Sequence, residues 1–470
     1  MEESLQASNY RPERAIEEIA DFIADPVRPA DFPQAILRFR NGRAAASVGL
    51  EGLDEAAWLR HFARFEPLPD AQPEPLALRY HGHQFRVYNP DLGDGRGFLF
   101  AQVREQAAAG GRLLDLGTKG SGRTPWSRTA DGRLTLKGGV REILAAEMLE
   151  ALGVTTSRLF SLIETGEQLV RGDEPSPTRS AVMVRLNHGH IRIGSFQRLA
   201  YRDEQENIAR LTDYCLRHLL GVAVEPGGNA ALALLEAVTM RAADLAASYM
   251  VAGFVHGVLN SDNIAITAES FDYGPWRFTP LWTPGFTAAY FDQTGLYCFA
   301  RQAEAIHWNL AQLAGALQEQ AEAEALVAIL RRYPARYEER LIARFLWRAG
   351  HAAPDAAAAR AFVEAAVTAL RESDILIDRF FLDARRGDLS GPLYAGTQWE
   401  AVRAAQAALT PLPGHLDHPY WASEAPCSMP IDEVEAIWAA IAERDDWAPL
   451  HAKVAAVRAM GAALGPAPAG

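Results

Sequence analysis

Asn260, Asp262 and Asn263 crowd into the stretch His256-Gly257-Val258-Leu259-Asn260-Ser261-Asp262-Asn263, and Asp272-Tyr273-Gly274 follows shortly after. Amide and carboxylate oxygens on two neighbouring loops are hard donors, suited to Mg²⁺ or Mn²⁺ shared with phosphate oxygens. Upstream, Leu92-Gly93-Asp94-Gly95-Arg96-Gly97 sets closely spaced glycines before an apolar run. Such a segment lets backbone N–H groups approach a phosphate chain, although a plain hairpin turn uses the same residues. Lys119 closes the run Leu113-Leu114-Asp115-Leu116-Gly117-Thr118, and Glu142 lies early in a helical pattern. Arg185 and Arg192 add two permanently charged forks that match phosphate oxygens. Taken singly, each has a bland reading: Asn and Asp build turns, and Lys, Glu and Arg pair on surfaces. Taken in chain order, they describe a phosphate–metal site.

These groups need elements to hold them. Arg96–Val103, Leu113–Leu116 and Ser180–Leu186 read as strands flanked by turn formers. One helix is expected between them, from about Gly139 to Leu152, with Ile143, Leu144, Leu149 and Leu152 near one face and Gly153 as its stop. Beyond Arg202 helices dominate: Glu204–Leu220 is amphipathic, and Ala230–Ala252 is almost wholly apolar and so should be buried. Val255–Tyr297 is non-helical, and Ala-rich helices follow, including Ala323–Arg331, Ala357–Arg371 and Ile431–Ala442. A short helix is expected over Arg14–Ala24; prolines 26, 29, 33, 67, 69, 73 and 75 mark residues 1–78 as a peripheral wrap. The expected class is α+β: a strand-rich unit over 79–200, a helix-rich unit over 201–330 and a helical extension over 331–470 whose end, Gly461–Gly470, frays.

Protein kinases arrange the same pieces in this order: a lysine on a strand, a glutamate on the small lobe's helix, a His…Asn catalytic loop behind a buried helix, then Asp-x-Gly. The expectation is therefore a bilobal, kinase-like fold with a strand-rich N-lobe and a helical C-lobe. One position departs. Val258 stands where kinases carry the catalytic aspartate and cannot accept a proton, whereas Asp262 sits beside the metal-binding Asn263.

Composition limits the rest. The 470 residues are 49% hydrophobic and 22% charged, ordinary globular values. A net charge of −13 argues against a general nucleic-acid binder. No run of eighteen apolar residues exists and the first residues lack a secretory pattern, so neither a membrane span nor export is expected. Three scattered cysteines fit a reducing, cytoplasmic setting; a bridge between Cys298 and Cys427 is the minor alternative. His81-Gly82-His83 and His188-Gly189-His190 lack supporting ligands at zinc spacing and read as hydrogen-bonded turns.

The set Tyr80-His81-Gly82-His83-Gln84-Phe85, Leu92 to Gly97, Asp115 to Pro125, Asp131-Gly132, Gly139 to Glu142, His256 to Asn263 and Asp272 to Pro275 resembles the SelO/YdiU family, protein adenylyltransferases on a pseudokinase fold. The match is dense over about residues 79 to 300. The resemblance implies Asp262 as proton acceptor and Asn263 and Asp272 as metal ligands. It implies Gly93, Gly95, Arg96, Lys119, Asp131, Gly132, Arg185 and Arg192 as the ATP-binding set, with Glu142 positioning Lys119. It further implies a nucleotide flipped relative to kinases, so that AMP from ATP, or UMP from UTP, passes to Ser, Thr or Tyr hydroxyls of partner proteins or of the chain itself. A phosphotransferase acting on a protein or small alcohol and a silent ATP-binding scaffold are the competing readings.

Overall fold

Strands between Pro12 and Asn187 build the layer that carries most of the cationic candidates. The structure, a computed structural model, describes residues 9–107, 110–172 and 174–468. In chain order the strands are β1 (Pro12–Glu13), β2 (Ala24–Pro26), β3 (Ile36–Arg40), β4 (Leu76–Leu78), β5 (Gly82–Gln84), β6 (Val87–Asn89), β7 (Leu99–Arg104), β8 (Leu113–Lys119), β9 (Leu134–Thr135), β10 (Arg158–Leu169) and β11 (Thr178–Asn187). β5 and β6 form a separate hairpin. The other nine form one sheet in the order β2-β4-β7-β8-β11-β10-β3, with β1 on β7 and β9 on β11. Every pairing in it is antiparallel.

Both faces of this sheet are covered, which is why its central strands read as near-continuous apolar runs. On one face, Leu113, Ala181, Met183 and Leu162 pack against the helix Leu136–Ala151. Thr135 caps that helix by accepting from the Gly138 N–H at 3.1 Å. On the other face, Leu114, Leu116, Val182, Val184 and Leu186 meet a second core supplied by residues 32–71. Trp58 and Phe62 of the helix Glu55–Phe62 anchor it; Trp58 stacks on Phe160 at 4.8 Å and donates to Ser161 Oγ at 2.8 Å.

Residues 1–78 thus differ in detail from a proline-broken wrap. Prolines keep their strands to two to five residues, but β1, β2, β3 and β4 all join the sheet. Pro26 sits on edge strand β2, where a missing N–H is tolerated. Arg14–Ala24 is not one helix. It is a 3₁₀ turn, Ala15–Glu18, and a single α turn, Ala20–Ile23, between residues claimed by the sheet.

The helical part centres on Ala230–Ala252, matching the expected bounds; Asn229 caps its start and Gly253, at φ +68°, ends it. Helices Gln302–Ala316 and Tyr333–Ala349 pack against it and bury most of its apolar surface, while Glu236, Arg241 and Asp244 are its charged residues. Glu204–Leu220 is an α-helix over Gln205–Tyr214 that widens into a π turn, Cys215–Leu220. The expected frayed end is helical to Leu464: in the helix Ala448–Leu464, Gly461 rests against Ala151. The three cysteines are free thiols, so Cys298 and Cys427 are not bridged. Among the described residues no helix is long and apolar enough to cross a membrane.

Candidate active site

The β8–β11 register places Lys119 opposite Met183 and Gly117 opposite Arg185. Residues two apart on a strand share a face, so Lys119 and Arg185 project from the same side of the sheet. That side opens on a cleft of about 330 Å³, walled below by Asp262 and Asp272.

Lys119 Nζ reaches Glu142 Oε1 and Asp272 Oδ1, each at 2.5 Å. Glu142 comes from the helix Leu136–Ala151, which Gly139 lets approach Leu162 closely. Arg185 Nη1 lies 3.6 Å from Asp272 Oδ1, and its buried Nε and Nη1 have no hydrogen-bond partner. Arg192 Nη1 donates to the Asp262 carbonyl at 2.9 Å and Nη2 to Asp94 Oδ1 at 3.1 Å, leaving its buried Nε unpaired. Its guanidinium lies over Tyr80 at 4.3 Å and Phe271 at 4.9 Å. Buried donors without partners, on one cation from β11 and one preceding the helix Ile193–Tyr201, describe an anion site.

The glycine segment Gly93–Gly97 forms the cleft's rim. Two of its glycines are a packing requirement: a side chain at Gly93 would strike Trp126 and one at Gly97 the Thr118 carbonyl, while one at Gly95 would crowd the Trp126 carbonyl at 3.0 Å. Thr124 Oγ1 donates to the Asp94 carbonyl at 2.5 Å, and Ser127 Oγ donates to that of Gly95.

The loop from His256 to Asn263 is immobilised through polar contacts. His256 Nε2 meets the Phe271 carbonyl at 3.1 Å, Asn309 Nδ2 donates to the Leu259 carbonyl at 2.7 Å, and Tyr297 OH donates to Asn260 Oδ1 at 2.7 Å. The β5–β6 hairpin clasps it from the sheet side: the His83 N–H donates to Ser261 Oγ at 2.7 Å and the Phe85 N–H to Asn260 Oδ1 at 3.0 Å. Asp262 is buried, its Oδ1 has no partner, and burial raises its pKa to about 6 against the opposing pull of Arg192. Burial also pushes Asp272 upward, but Lys119, then Arg185, Arg96 and Arg192, hold it well below the ordinary carboxylate range. Asp272 has φ +60°, an unfavourable backbone for a non-glycine residue, held by buried Tyr273, which shares hydroxyl hydrogen bonds with Thr156 and Ser270.

Gly93, Gly95, Arg96, Lys119, Arg185, Arg192, Asp262 and Asp272 therefore line one cleft, with Glu142 behind Lys119. Asn263 is next to Asp262 but outside the lining; its Nδ2 donates to the Val258 carbonyl at 2.9 Å, which leaves its oxygen as the atom for a cation. The oxygen donors of Asn263 and Asp272 fit Mg²⁺ or Mn²⁺. Asp131 is placed differently: its half-exposed carboxylate binds Arg171 at 2.8 and 3.1 Å, and Gly132, at φ +73°, packs on Gly122. Ala130 and Arg128 of the same loop reach the cleft instead. Sequence reasoning missed Asp94, Tyr80, Gln84 and Phe271 as site residues; Asp94 inside the glycine segment and the Tyr80–Phe85 motif were the signals available.

The first histidine triplet enters strand β5 where a turn was expected, the second follows β11, and their side chains are held by hydrogen bonds. His81 Nδ1 meets Tyr88 OH at 2.8 Å, His83 Nδ1 meets Gln197 Nε2 at 2.7 Å, and His190 Nδ1 meets Asp115 Oδ2 at 3.0 Å. Among the described residues no three His, Cys, Asp or Glu side chains gather to hold a metal.

Residues 5–391 match the family model described as "Protein adenylyltransferase SelO". Proteins named "Protein nucleotidyltransferase YdiU" are similar along most of the chain. The one from Synechococcus elongatus is 43% identical over 475 residues, covering 94% of this chain and 93% of its own. That of Gloeobacter violaceus is 40% identical over 469 residues, covering 96% and 95%. That of Trichormus variabilis is 50% identical over 307 residues, covering 65% and 61%.

Proposed function

This chain belongs to the SelO protein adenylyltransferase family and is a protein nucleotidyltransferase; on that premise we propose that it transfers AMP from ATP to Ser, Thr or Tyr hydroxyls of proteins, with UTP and UMP as the alternative donor and group. The reading extends to a kinase-like, two-lobed arrangement in which the sheet and its helix Leu136–Ala151 form one lobe and the helices from Ile193 onward form the other.

One observation carries the direction of transfer. The sheet end of the cleft holds Lys119, Arg185 and Arg192, all buried, where an adenine ring would need an apolar slot. Buried guanidinium groups with unpaired N–H donors suit phosphate oxygens, so the triphosphate tail belongs there. The α-phosphorus then faces Asp262. The acceptor hydroxyl oxygen forms its bond to that phosphorus, the bond to the bridging oxygen breaks, pyrophosphate leaves, and the hydroxyl proton passes to Asp262. Val258 is no loss under this chemistry, because the base has moved to Asp262. Mg²⁺ or Mn²⁺, when held by Asn263 and Asp272, supplies charge neutralisation at the phosphates. Lys119, Arg185 and Arg192 orient the tail and absorb the charge that builds on the leaving pyrophosphate, a contribution expected to exceed that of the base.

The test uses ATP labelled at either the α- or the γ-phosphate, with the full chain and a mixture of acceptor proteins. Protein-bound α label with release of labelled pyrophosphate from the γ-labelled donor is expected. Protein-bound γ label would overturn the reading in favour of phosphoryl transfer, and no label from either donor would favour a silent scaffold.

A further inference from the structure

A second cavity, of about 730 Å³, shares no residue with the catalytic cleft. Its size suits a small-molecule ligand. Arg104 of β7, Arg112 at the edge of β8 and His188 just beyond β11 form one wall, and Arg217, Arg241 and Arg336 come from the helical part.

Most of this positive charge is already neutralised. Arg104 binds Glu13, Arg112 binds both oxygens of Glu105, and Arg217 binds Glu18 and Asp213. Asp244 is the single carboxylate in the wall, and it is saturated: Oδ1 accepts from Arg340 Nε at 2.6 Å and Arg344 Nε at 2.9 Å, and Oδ2 from Arg344 Nη2 at 2.5 Å. Arg241 is the exception. It has no carboxylate within ion-pair distance among the described residues, and Nη2 donates to the Leu220 carbonyl at 2.8 Å. Burial alone lowers its pKa. Arg336 pairs with Glu339 through Nη1, while its buried Nε has no partner. A half-buried guanidinium without a counter-charge is costly to hold, and a second one beside the same cavity has an open donor. Met240, Val222 and Leu245 give the remaining wall an apolar character.

We propose that this cavity binds a phosphorylated small molecule, with the phosphate held by Arg241 and Arg336 and the body of the ligand resting on Met240, Val222 and Leu245. The site joins residues of the sheet to residues of the helices, so its ligand bridges the two parts of the molecule at a place separate from the cleft. It stands independently of the donor and acceptor proposed above.

The competing role for Arg241 is structural, tying down the Leu220 carbonyl at the end of the π turn. Calorimetric titration of the full chain with inorganic pyrophosphate separates the two, using wild type, the cleft variant Arg185→Met and the cavity variant Arg241→Met. A pyrophosphate site that persists in Arg185→Met and weakens at least about tenfold in Arg241→Met is expected, the fold-change a lost charge-assisted contact brings. In phosphate-free buffer Arg241→Met should melt no lower than wild type, because it removes an uncompensated charge. Pyrophosphate binding that is lost in Arg185→Met yet unchanged in Arg241→Met, or no binding at all, would overturn the proposal. So would an Arg241→Met protein that melts lower while binding pyrophosphate as wild type does. Should Arg241→Met fail to fold, Arg336→Gln carries the same binding expectation and the same binding refutations.

Discussion

Lys119 is buried between two carboxylates at 2.5 Å, and each partner belongs to a different part of the chain: Glu142 to the helix on the sheet, Asp272 to the loop after the apolar helix. Lys119→Ala would leave Glu142, only 2% exposed, without its cation, which costs about 3–5 kcal/mol as a broken buried pair. Lys119→Met combined with Glu142→Leu should restore most of that stability in denaturant unfolding while transfer stays abolished; recovery of activity in the double variant would contradict the role given to Lys119. Glu269 makes a different prediction. It is buried, accepts from the His188 N–H at 2.7 Å, and burial raises its pKa from 4.5 to about 7 despite that bond and the nearby Arg112. A carboxyl raised on folding contributes stability that is complete below about pH 4.5 and fades as pH climbs through about 7. Glu269→Gln keeps an acceptor for His188 and removes the titration. The variant should therefore gain on wild type between pH 5 and pH 8, by up to about 3 kcal/mol; parallel stability curves would refute it.

At the scale of elements, the β5–β6 hairpin does more than fill a turn. Its backbone N–H groups at His83 and Phe85 pin Ser261 and Asn260, and the position of a Gly82 side chain lies 3.0 Å from Asp262 Cβ and Oδ1. Gly82→Ala is expected to displace the Asp262 carboxylate by a few tenths of an ångström. Transfer should fall about 10- to 100-fold, the sensitivity typical of misplaced reacting groups, with nucleotide affinity retained. A loss of nucleotide binding equal to the loss of rate would instead assign the hairpin to the nucleotide. The helix Leu136–Ala151 shows the same economy: one face packs on β10 and β11, and Glu142 near its middle reaches Lys119.

Across the whole molecule, the C-terminal helices brace that same helix from behind. Arg458 binds both oxygens of buried Glu147, Lys137 binds Glu435, and Gly461 rests on Ala151. Arg179 and Arg38 reach Asp445 from strands β11 and β3. The extension beyond residue 400 thus stiffens the element that aims Glu142. Arg458→Ala leaves Glu147 with Arg43 alone at 3.2 Å and should cost about 2 kcal/mol, with slower transfer and a partial rescue by Arg458→Lys. Unchanged unfolding and unchanged rate would remove the extension from the account of the site.

The groups proposed to carry the chemistry were legible in the chain because the proposed reaction demands their types at narrow spacing: Asp262, Asn263 and Asp272 on adjacent loops, Lys119 ending a strand, Glu142 on a helix. The buried helix Ala230–Ala252 was legible for a similar reason, since so long a predominantly apolar run needs burial. Three things were decided only by tertiary structure. Short strands between prolines gain stability from partners far along the chain, so β1 to β4 carry little local signal. Asp131 turned to Arg171 because a nearby counter-charge outside the cleft was available to it. The basic cavity holding Arg241 depends on which arginines find carboxylates, and some of those pairs, Arg104 with Glu13 and Arg217 with Glu18, join segments far apart in the chain.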